Sequence, residues 1–317
     1  VYKRQAFDRA DTNGFRCIRP LGKDGADREL RDVIELPFRD FYGEEPVSDE
    51  GFKAILAQYA YDEIPLAAEI EEEVEEENWI RQRISFDAGY GTRMFAFLFL
   101  PKRGTPPYQT VVHFPGSGVI FRRSSDDLRM SLNEFFLKSG RAFLYPIYVG
   151  TFERGGDLTT DQPSETVAYR DYVLKWSKEL RRSIDYLETR DDIDTERLAY
   201  WGTSWGGRMG PIMLAVEERF RTGVLYVAGL KFQRALPEAD PFHFISRVKL
   251  PVLMLNGEFD YFFPKETSQR PLFELLGTPD EDKRWEVHPG GHSVPRHALV
   301  EETLGWLDRY LGPVEGL

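Results

Sequence analysis

The chain has 317 residues, 41% of them hydrophobic and 14% aromatic, and its formal net charge is −12. This length and composition predict a folded protein with a substantial core and exclude a disordered chain. The negative charge repels phosphate backbones and anionic bilayers, so we expect neither a nucleic-acid partner nor a membrane partner. Cys17 is the single cysteine, which excludes an internal disulfide and a zinc site built from cysteines. Because the sequence has no apolar stretch of membrane-spanning length and no signal-peptide pattern, we expect a cytoplasmic protein.

The first 30 residues differ in character from the rest of the chain. Residues 11–20 are rich in turn-forming side chains, and charged residues follow up to Asp32. Within this region, Gly14-Phe15-Arg16-Cys17 resembles the closing strand of formylglycine-generating-enzyme-like domains. The resemblance implies the tail of an upstream domain, and an arbitrary linker is the alternative. We therefore predict a linker or tail over 1–30 and one domain over 31–317.

The next part of the chain contains a helix, an acidic block and a hairpin. Apolar residues recur at helical spacing within 51–60 and predict a helix there. Seven glutamates crowd together within 69–77. We interpret them as a solvated edge or connector rather than an anionic docking tract, because like charges repel and stay hydrated. Residues 79–87 and 93–100 have the composition of strands, and the turn 87–91 between them predicts a β-hairpin.

Beyond residue 100, short apolar segments bounded by glycine or proline alternate with amphipathic segments. This alternation predicts an α/β fold, with a mostly parallel central sheet and helices on both of its faces. We predict strands near 109–114, 142–147, 197–201, 223–228, 251–255 and 284–288, and helices near 126–138, 165–188, 206–218, 265–276 and 295–310.

The main chemical signal is the hexapeptide Gly202-Thr203-Ser204-Trp205-Gly206-Gly207. It fits the pattern Gly-x-Ser-x-Gly and lies between a predicted strand and a predicted helix. A sharp turn of this kind holds the serine in a strained conformation, and glycines beside it prevent steric clashes. We therefore predict that Ser204 is a nucleophile at the start of a helix, where the helix dipole favours negative charge. The alternative is a glycine-rich turn with a purely structural role.

A serine hydroxyl needs a base within hydrogen-bonding distance before it can attack a carbonyl group. Among the five histidines, His292 is the best candidate, because it follows Gly290-Gly291 directly after the last predicted strand. His288 competes with it but lies within that strand. Asp260 follows the preceding predicted strand and can orient the base, and Glu258 is the alternative acid.

Two backbone N–H groups must bind the negative charge that develops on the substrate oxygen. One is expected from Trp205, the residue after the nucleophile. The other is expected from the loop Phe114-Pro115-Gly116-Ser117-Gly118, in which Gly116 and Ser117 are both candidates. A phosphate-binding role for this loop is disfavoured, because no Lys-Ser or Lys-Thr pair follows it.

These motifs together resemble the α/β-hydrolase superfamily, most closely its dienelactone-hydrolase and acyl-peptidase-like branch. The resemblance extends from about residue 80 to residue 312. It implies the chain order serine, acid, histidine, and therefore a catalytic triad of Ser204, Asp260 and His292. It also implies that neither a metal nor an organic cofactor takes part. The segment 232–246, where such enzymes carry cap or pocket-wall residues, is too short for a large cap domain.

The chain also departs from particular branches of this superfamily. The nucleophile of dienelactone hydrolase is a cysteine where this chain has Ser204, so the substrate of that enzyme is not implied. The His-Gly-Gly-Gly loop of hormone-sensitive-lipase-like esterases is absent from the sequence. The resemblance therefore implies a serine hydrolase and leaves its substrate open.

Aromatic residues cluster in the segments expected to surround the nucleophile. They predict a pocket for an apolar or aromatic acyl or alcohol group, although some of them can fill the core instead. Arg122, Arg123 and Arg208 either hold a substrate carboxylate or form ordinary ion pairs, and we favour the ion pairs. The predicted pocket residues are Phe121, Tyr148, Phe242, Phe244, Tyr261 and Phe262.

The sequence therefore predicts a serine esterase that cleaves small-molecule carboxylic esters through an acyl-enzyme intermediate. A peptidase of the same superfamily is one alternative, although such peptidases usually carry a propeller or a large cap. The other alternative is a non-catalytic hydrolase-like module of a larger regulatory protein.

Overall fold

The computed structural model describes residues 38–62 and 64–316. The predicted linker or tail over 1–30 lies outside them. In the described part of the chain, one sheet of nine strands forms the centre and helices pack against it. The strands are β1 (Glu69–Glu75), β2 (Trp79–Asp87), β3 (Arg93–Pro101), β4 (Tyr108–Phe114), β5 (Ala142–Ile147), β6 (Ile193–Thr203), β7 (Phe220–Tyr226), β8 (Val252–Gly257) and β9 (Lys283–His288). The helices are α1 (Asp49–Tyr59), α2 (Glu134–Lys138), α3 (Val167–Glu188), α4 (Trp205–Val216), α5 (Phe242–Ile245), α6 (Arg270–Glu274) and α7 (Arg296–Leu311).

The order of the strands in the sheet is β1-β2-β3-β5-β4-β6-β7-β8-β9. The pairs β1–β2, β2–β3 and β3–β5 are antiparallel, and every pair from β5 through β4 to β9 is parallel. The predicted mostly parallel sheet with an N-terminal antiparallel hairpin is therefore confirmed. The hairpin turns at Gly89 and Gly91, each with φ at +81°, a backbone conformation that favours glycine.

Helices cover both faces of the sheet, because the direction of the chain crossovers reverses at β4. The connection from β4 to β5 runs one way along the sheet, and the later connections run the other way. Right-handed crossovers therefore place α2 on one face and α3 to α5 on the other. The C-terminal α7 packs on β6, β7 and β8 and contacts the segment before α2, where Arg296 donates to the carbonyl of Leu132. This reversal opens a crevice at the carboxyl ends of the strands, the usual position of a ligand in such sheets.

The acidic block forms β1, which is the exposed edge strand of the sheet. Several of its glutamates pair with cations on neighbouring parts of the sheet. Glu71 lies 3.2 Å from Arg83, and Glu75 lies 2.8 Å from Lys102, measured between nitrogen and oxygen. Charged side chains on an edge oppose pairing with strands of other molecules. The structure thus agrees with the interpretation of this block as a solvated edge.

Two predicted helices are shorter in the structure. The predicted helix 126–138 contains only a 3₁₀ turn and α2, because Arg129 adopts a left-handed conformation with φ at +51° and interrupts any helix before it. The predicted helix 265–276 consists of a π-helical turn, Lys265–Gln269, followed by α6. Pro271 lies in the first turn of α6, where the N–H group that proline lacks is not needed.

Two larger features are absent from residues 38–62 and 64–316. The segment 232–246 contains only a 3₁₀ turn and α5, so the described chain has no large cap domain there, as predicted. No helix within the same residues has both the length and the apolar composition that a membrane crossing requires.

His113 lies deep in the core, on β4. Its side chain packs against Phe143 and Tyr145, and its Nδ1 atom lies 3.0 Å from the carbonyl oxygen of Trp201. Burial lowers the pKa of His113 to about 3, because a charged imidazole would lose its hydration there. The native protein therefore keeps this side chain neutral at pH values at which the unfolded chain binds a proton.

We predict that acid destabilises the fold through this residue. The pKa of His113 is about 3 in the native state against an ordinary value of 6.5, so stability is fully present above pH 6.5 and falls as the pH drops toward 3. The free energy of unfolding should fall by about 2 kcal/mol between pH 7 and pH 5, over and above the change in a His113→Gln variant. Urea unfolding at both pH values measures the difference, and equal changes in the two proteins would contradict the prediction.

Candidate active site

Ser204 lies at a sharp turn between β6 and α4. Its backbone has φ at +55° and ψ at −100°, a strained conformation for any residue other than glycine. The glycines on either side have no room for a side chain. A Cβ atom on Gly202 would lie 2.6 Å from the carbonyl oxygen of Gly206, and one on Gly206 would lie 2.0 Å from the carbonyl oxygen of Phe114. These close approaches explain why glycines occupy both positions of the pattern.

His292 lies in the loop between β9 and α7, and this loop packs against the segment that follows β8. The N–H groups of Glu258 and Phe259 donate to the carbonyls of His288 and Gly290, each at 2.9 Å. A Cβ atom on Gly257 would lie only 1.8 Å from the carbonyl oxygen of Gly291. The two loops that carry the acid and the base are therefore in direct backbone contact.

The structure brings Ser204, His292 and Asp260 into one chain of hydrogen bonds. The Oγ atom of Ser204 lies 2.8 Å from Nε2 of His292, and Nδ1 of His292 lies 2.7 Å from Oδ2 of Asp260. Asp260 is buried, and its Oδ1 atom accepts hydrogen bonds from the N–H groups of Phe262 and Phe263 at 2.8 and 3.3 Å. These two bonds fix the orientation of the carboxyl group toward His292.

This geometry assigns a direction to each hydrogen bond. The carboxylate of Asp260 can only accept, so Nδ1 of His292 carries the hydrogen and donates it. Nε2 is then the acceptor, and the hydroxyl of Ser204 donates to it. A hydroxyl held against a neutral imidazole nitrogen can lose its proton as it attacks an electrophile.

The competing acid and histidine lie outside this chain of hydrogen bonds. Glu258 points to solvent, and its nearest cation is Lys265 at 3.7 Å. The Nε2 atom of His288 is buried without a partner at the end of β9. His243 lies in α5 and accepts a hydrogen bond from the N–H of Val47. In the described part of the chain, none of the three forms a hydrogen bond with Ser204.

The loop predicted to stabilise an oxyanion lies against the nucleophile. The N–H of Gly206 donates to the carbonyl of Pro115 at 3.0 Å, and a Cβ atom on Gly116 would lie 3.6 Å from Cβ of Ser204. Trp205 and Ser117 are the first residues of α4 and of a 3₁₀ turn, so neither N–H has a carbonyl of its own helix to bind. Trp205 and either Gly116 or Ser117 thus remain candidates for binding an oxyanion.

Three of the predicted pocket residues belong to the core, and for these the prediction is wrong. Tyr148 is fully buried, stacks on Phe114 at 4.4 Å between ring centroids and donates to the carbonyl of His113. Phe242 and Phe244 are also buried and pack against aromatic rings of the segment before α1 and of α1 itself. Neighbouring side chains enclose all three rings, so the rings present almost no surface to a substrate.

The other three predicted pocket residues are accessible. The ring of Phe262 lies 4.8 Å from the ring of His292, so it borders the candidate site. Tyr261 packs against Phe262 and is 74% exposed, and Phe121 is 65% exposed at the end of the 3₁₀ turn that begins at Ser117. Phe262 and Tyr261 therefore form an accessible aromatic pair beside His292, while Phe121 belongs to the segment that follows the Gly116 loop.

The arginines considered for substrate binding have partners within the protein. Arg208 is buried, donates to the hydroxyl of Tyr169 at 3.0 Å and binds the backbone carbonyl of Asp161. Arg122 pairs with Asp127 at 3.8 Å, and Arg123 donates to the carbonyl of Ile120 at 3.0 Å. These contacts agree with the ion-pair or structural interpretation rather than with binding of a substrate carboxylate.

The sequence interpretation missed Tyr226, at the end of β7. Its carbonyl accepts the N–H of Ser204 at 2.8 Å, and its ring stacks on Trp201 at 5.5 Å. Its hydroxyl accepts the N–H of Val294, in the loop that carries His292, at 3.4 Å. Tyr226 therefore links the nucleophile turn to the histidine loop. In the sequence Tyr226 is one apolar residue among several in a predicted strand, so no local pattern distinguishes it.

Outside this site, the described residues form a surface cavity but no cluster of metal ligands. Within residues 38–62 and 64–316, no set of three His, Cys, Asp or Glu side chains is arranged to hold a metal ion. A surface cavity of about 320 Å³ lies between the segment before α1 and the β7–α5 loop. Its charges are neutralised locally, because Glu44 pairs with both Arg39 and Arg234. The cavity is lined by Phe38, Arg39, Asp40, Gly43, Glu44, Phe232 and Arg234.

Comparisons with known proteins support a hydrolase. The family described as "Serine hydrolase (FSH1)" matches residues 177–304, which hold Ser204, Asp260 and His292. Cutinase 2 of Thermobifida cellulosilytica is 25% identical over 167 residues, which are 49% of this chain and 55% of that protein. A protein of Mycobacterium tuberculosis strain H37Rv is 28% identical over 145 residues, 41% of this chain and 50% of that protein. The chain thus spans about half the length of the curated relatives it matches.

Solved structures of esterases share the fold. An acetyl xylan esterase from Paenibacillus sp. R4 superimposes with a TM-score of 0.62 at 17% identity, covering 85% of this chain and 98% of that one. A glucuronoyl esterase from Solibacter usitatus gives a TM-score of 0.55 at 16% identity, covering 90% of this chain and 100% of that one. The chain has the α/β-hydrolase fold. The turn of Ser204 follows a central strand, β6, which is where this fold places a nucleophile.

We predict that a methyl group at the turn of Ser204 destabilises the protein. In Gly206→Ala the new Cβ would lie 2.0 Å from a backbone oxygen, so the free energy of unfolding should fall by about 3 kcal/mol. Gly305→Ala is the matched control, because Gly305 lies in α7 with no atom within 4 Å of the added Cβ. That variant should be about 0.5–1 kcal/mol more stable than wild type. Chemical denaturation compares the two, and equal stabilities would rule out the steric argument.

Proposed function

We propose that this α/β-hydrolase is a serine esterase that hydrolyses small-molecule carboxylic esters. The observation that carries the proposal is the unbroken chain of hydrogen bonds from Ser204 through His292 to Asp260. A strained serine, a neutral imidazole and a buried carboxylate in this order form the arrangement that activates a hydroxyl for acyl transfer. The match to a serine hydrolase family and to cutinases gives independent support.

The geometry suggests a role for each group in the reaction. The Oγ atom of Ser204 attacks the ester carbonyl while Nε2 of His292 takes the hydroxyl proton. The N–H of Trp205 and one from Gly116 or Ser117 bind the oxygen that becomes negative. His292 then gives its proton to the leaving alcohol, and an acyl-enzyme remains. Water, deprotonated by His292, releases the carboxylic acid and restores the serine. Asp260 keeps its negative charge throughout and stabilises the protonated imidazole.

The surroundings of the triad favour a substrate with an apolar or aromatic group. Phe262 lies against His292, Tyr261 packs on Phe262, and the exposed Phe121 follows the Gly116 loop. Such rings bind acyl chains and flat groups through apolar contact. The similar proteins act on different esters by name, among them cutinases, an acetyl xylan esterase and a glucuronoyl esterase. They support ester hydrolysis in general, and the short 232–246 segment leaves the site open to substrates of varied size.

We predict that a fluorophosphonate probe labels the protein at Ser204. The probe reacts with a serine hydroxyl only where a base activates it, so Ser204→Ala should abolish both labelling and hydrolysis of p-nitrophenyl esters. Ser124→Ala is the control and should retain both, because Ser124 is an exposed loop serine that caps the N–H of Asp126. Labelling that survives in Ser204→Ala would refute the assignment of the nucleophile.

We predict different effects for the two acidic residues near the histidine. Asp260→Asn should lower kcat by about 10⁴-fold, because an amide that donates to Nδ1 holds the imidazole in the wrong tautomer. Glu258→Gln should leave kcat near the wild-type value, because Glu258 is exposed and contacts Lys265 rather than His292. Steady-state kinetics on one aryl ester compares the variants. A larger loss of kcat in Glu258→Gln than in Asp260→Asn would show that Glu258, and not Asp260, is the acid of the triad.

A further inference from the structure

The acid of the triad lies on a tight turn whose shape depends on contacts from outside it. We call residues 257–263 the acid turn. Within it, Asp260 accepts the N–H groups of Phe262 and Phe263, while its other oxygen reaches His292. The rings of Phe262 and Phe263 lie 4.8 and 5.9 Å from the His292 ring. A shift of these two phenylalanines would therefore move both the carboxylate and the packing of the imidazole.

Lys231, in the loop after β7, reaches across to the acid turn. Its Nζ atom donates to the carbonyl of Phe262 at 3.2 Å. It also lies 4.7 Å from the ring centroid of Phe263 and 5.9 Å from that of Phe262, within the range of cation–π attraction. One ammonium group thus contacts the backbone and both rings of the dipeptide that presents Asp260.

Gln269, the last residue of the π-helical turn Lys265–Gln269, holds the acid turn at both ends. Its side chain is fully buried, and its Nε2 atom donates to the carbonyl of Gly257 at 2.9 Å and to that of Phe263 at 2.7 Å. These two carbonyls lie on either side of Asp260. The amide therefore fixes the separation of the two ends of the turn.

The backbones that carry these two side chains are themselves joined. The N–H of Leu230 donates to the carbonyl of Ser268 at 3.2 Å, and the hydroxyl of Ser268 donates to the carbonyl of Leu230 at 2.6 Å. A Cβ atom on Gly229 would lie 2.7 Å from Cβ of Phe263, so the β7 loop packs directly on the acid turn. Lys231 and Gln269 thus act from a common rigid support.

We propose that Lys231 and Gln269 are positioning residues that hold Asp260 against His292. This inference rests on the proposed function and extends it to residues that touch neither the substrate nor the reacting atoms. Three backbone carbonyls of the acid turn receive their hydrogen bonds from these two side chains. Without them the turn has fewer constraints, and the carboxylate samples positions outside hydrogen-bonding distance of Nδ1. An imidazole that has lost contact with the carboxylate is less often in the orientation that accepts the serine proton.

The test measures the rate of Ser204 labelling by a fluorophosphonate, which needs no knowledge of the natural ester. Lys231→Met and Gln269→Met remove the donors and keep the approximate length of each side chain. Lys231→Arg keeps both the charge and the donor. Lys265→Met is the matched control, because it removes a nearby lysine that pairs with the exposed Glu258.

We expect the labelling rate to fall about tenfold in Lys231→Met and in Gln269→Met, and to stay near wild type in Lys231→Arg and Lys265→Met. Because Lys231→Arg keeps the donor and the charge, a wild-type rate in that variant separates positioning from a general loss of structure. Thermal unfolding checks that each variant folds. Because Gln269 is buried, Lys231→Met alone decides the outcome should Gln269→Met fail to fold.

Several results would overturn this inference. One is a Lys231→Met variant that is labelled at the wild-type rate. Another is a Lys265→Met variant that loses as much activity as Lys231→Met. Both leave the proposed function intact, since wild-type labelling persists. A wild-type protein without Ser204 labelling would instead refute the proposed function itself, so the two failures are distinguishable.

Discussion

The structure depends on the close approach of α4 to the end of β4. The backbone of Gly206 lies so near the carbonyl of Phe114 that no side chain fits between them. This contact forces the chain to turn abruptly after β6, and Ser204 takes up the strain of that turn with a positive φ. The same contact holds the loop of Gly116 beside Ser204, because the N–H of Gly206 donates to the carbonyl of Pro115. One packing constraint therefore positions both the proposed nucleophile and the proposed oxyanion loop.

Much of the fold and the central residues of the site could be predicted because their signals are local. Short apolar segments with glycine or proline at their ends identify buried parallel strands, since such strands are apolar on both faces. The glycines at 202 and 206 record a steric requirement of the turn itself, so they point to Ser204 without any knowledge of the rest of the chain. His292 and Asp260 could be proposed from their positions after successive strands, because the carboxyl ends of parallel strands meet at one edge.

The errors arose where the outcome depends on which residues meet in space. Tyr148, Phe242 and Phe244 have the same composition signal as Phe262, but three of these rings are enclosed by other aromatics and one faces His292. A sequence pattern does not distinguish an aromatic residue that fills the core from one that borders a cleft. Tyr226, Lys231 and Gln269 act through hydrogen bonds to backbone atoms of distant segments, and such contacts leave no periodicity or spacing to find.

The acidic edge strand has a consequence for how copies of this molecule meet. An exposed edge strand can pair with a strand of another molecule, and β1 is such an edge strand. Two copies aligned along β1 would bring two rows of carboxylates into opposition, with their nearest cations already bound within each molecule. Coulomb repulsion between the rows therefore opposes growth of the sheet across β1, which is one of the two edge strands of the described sheet.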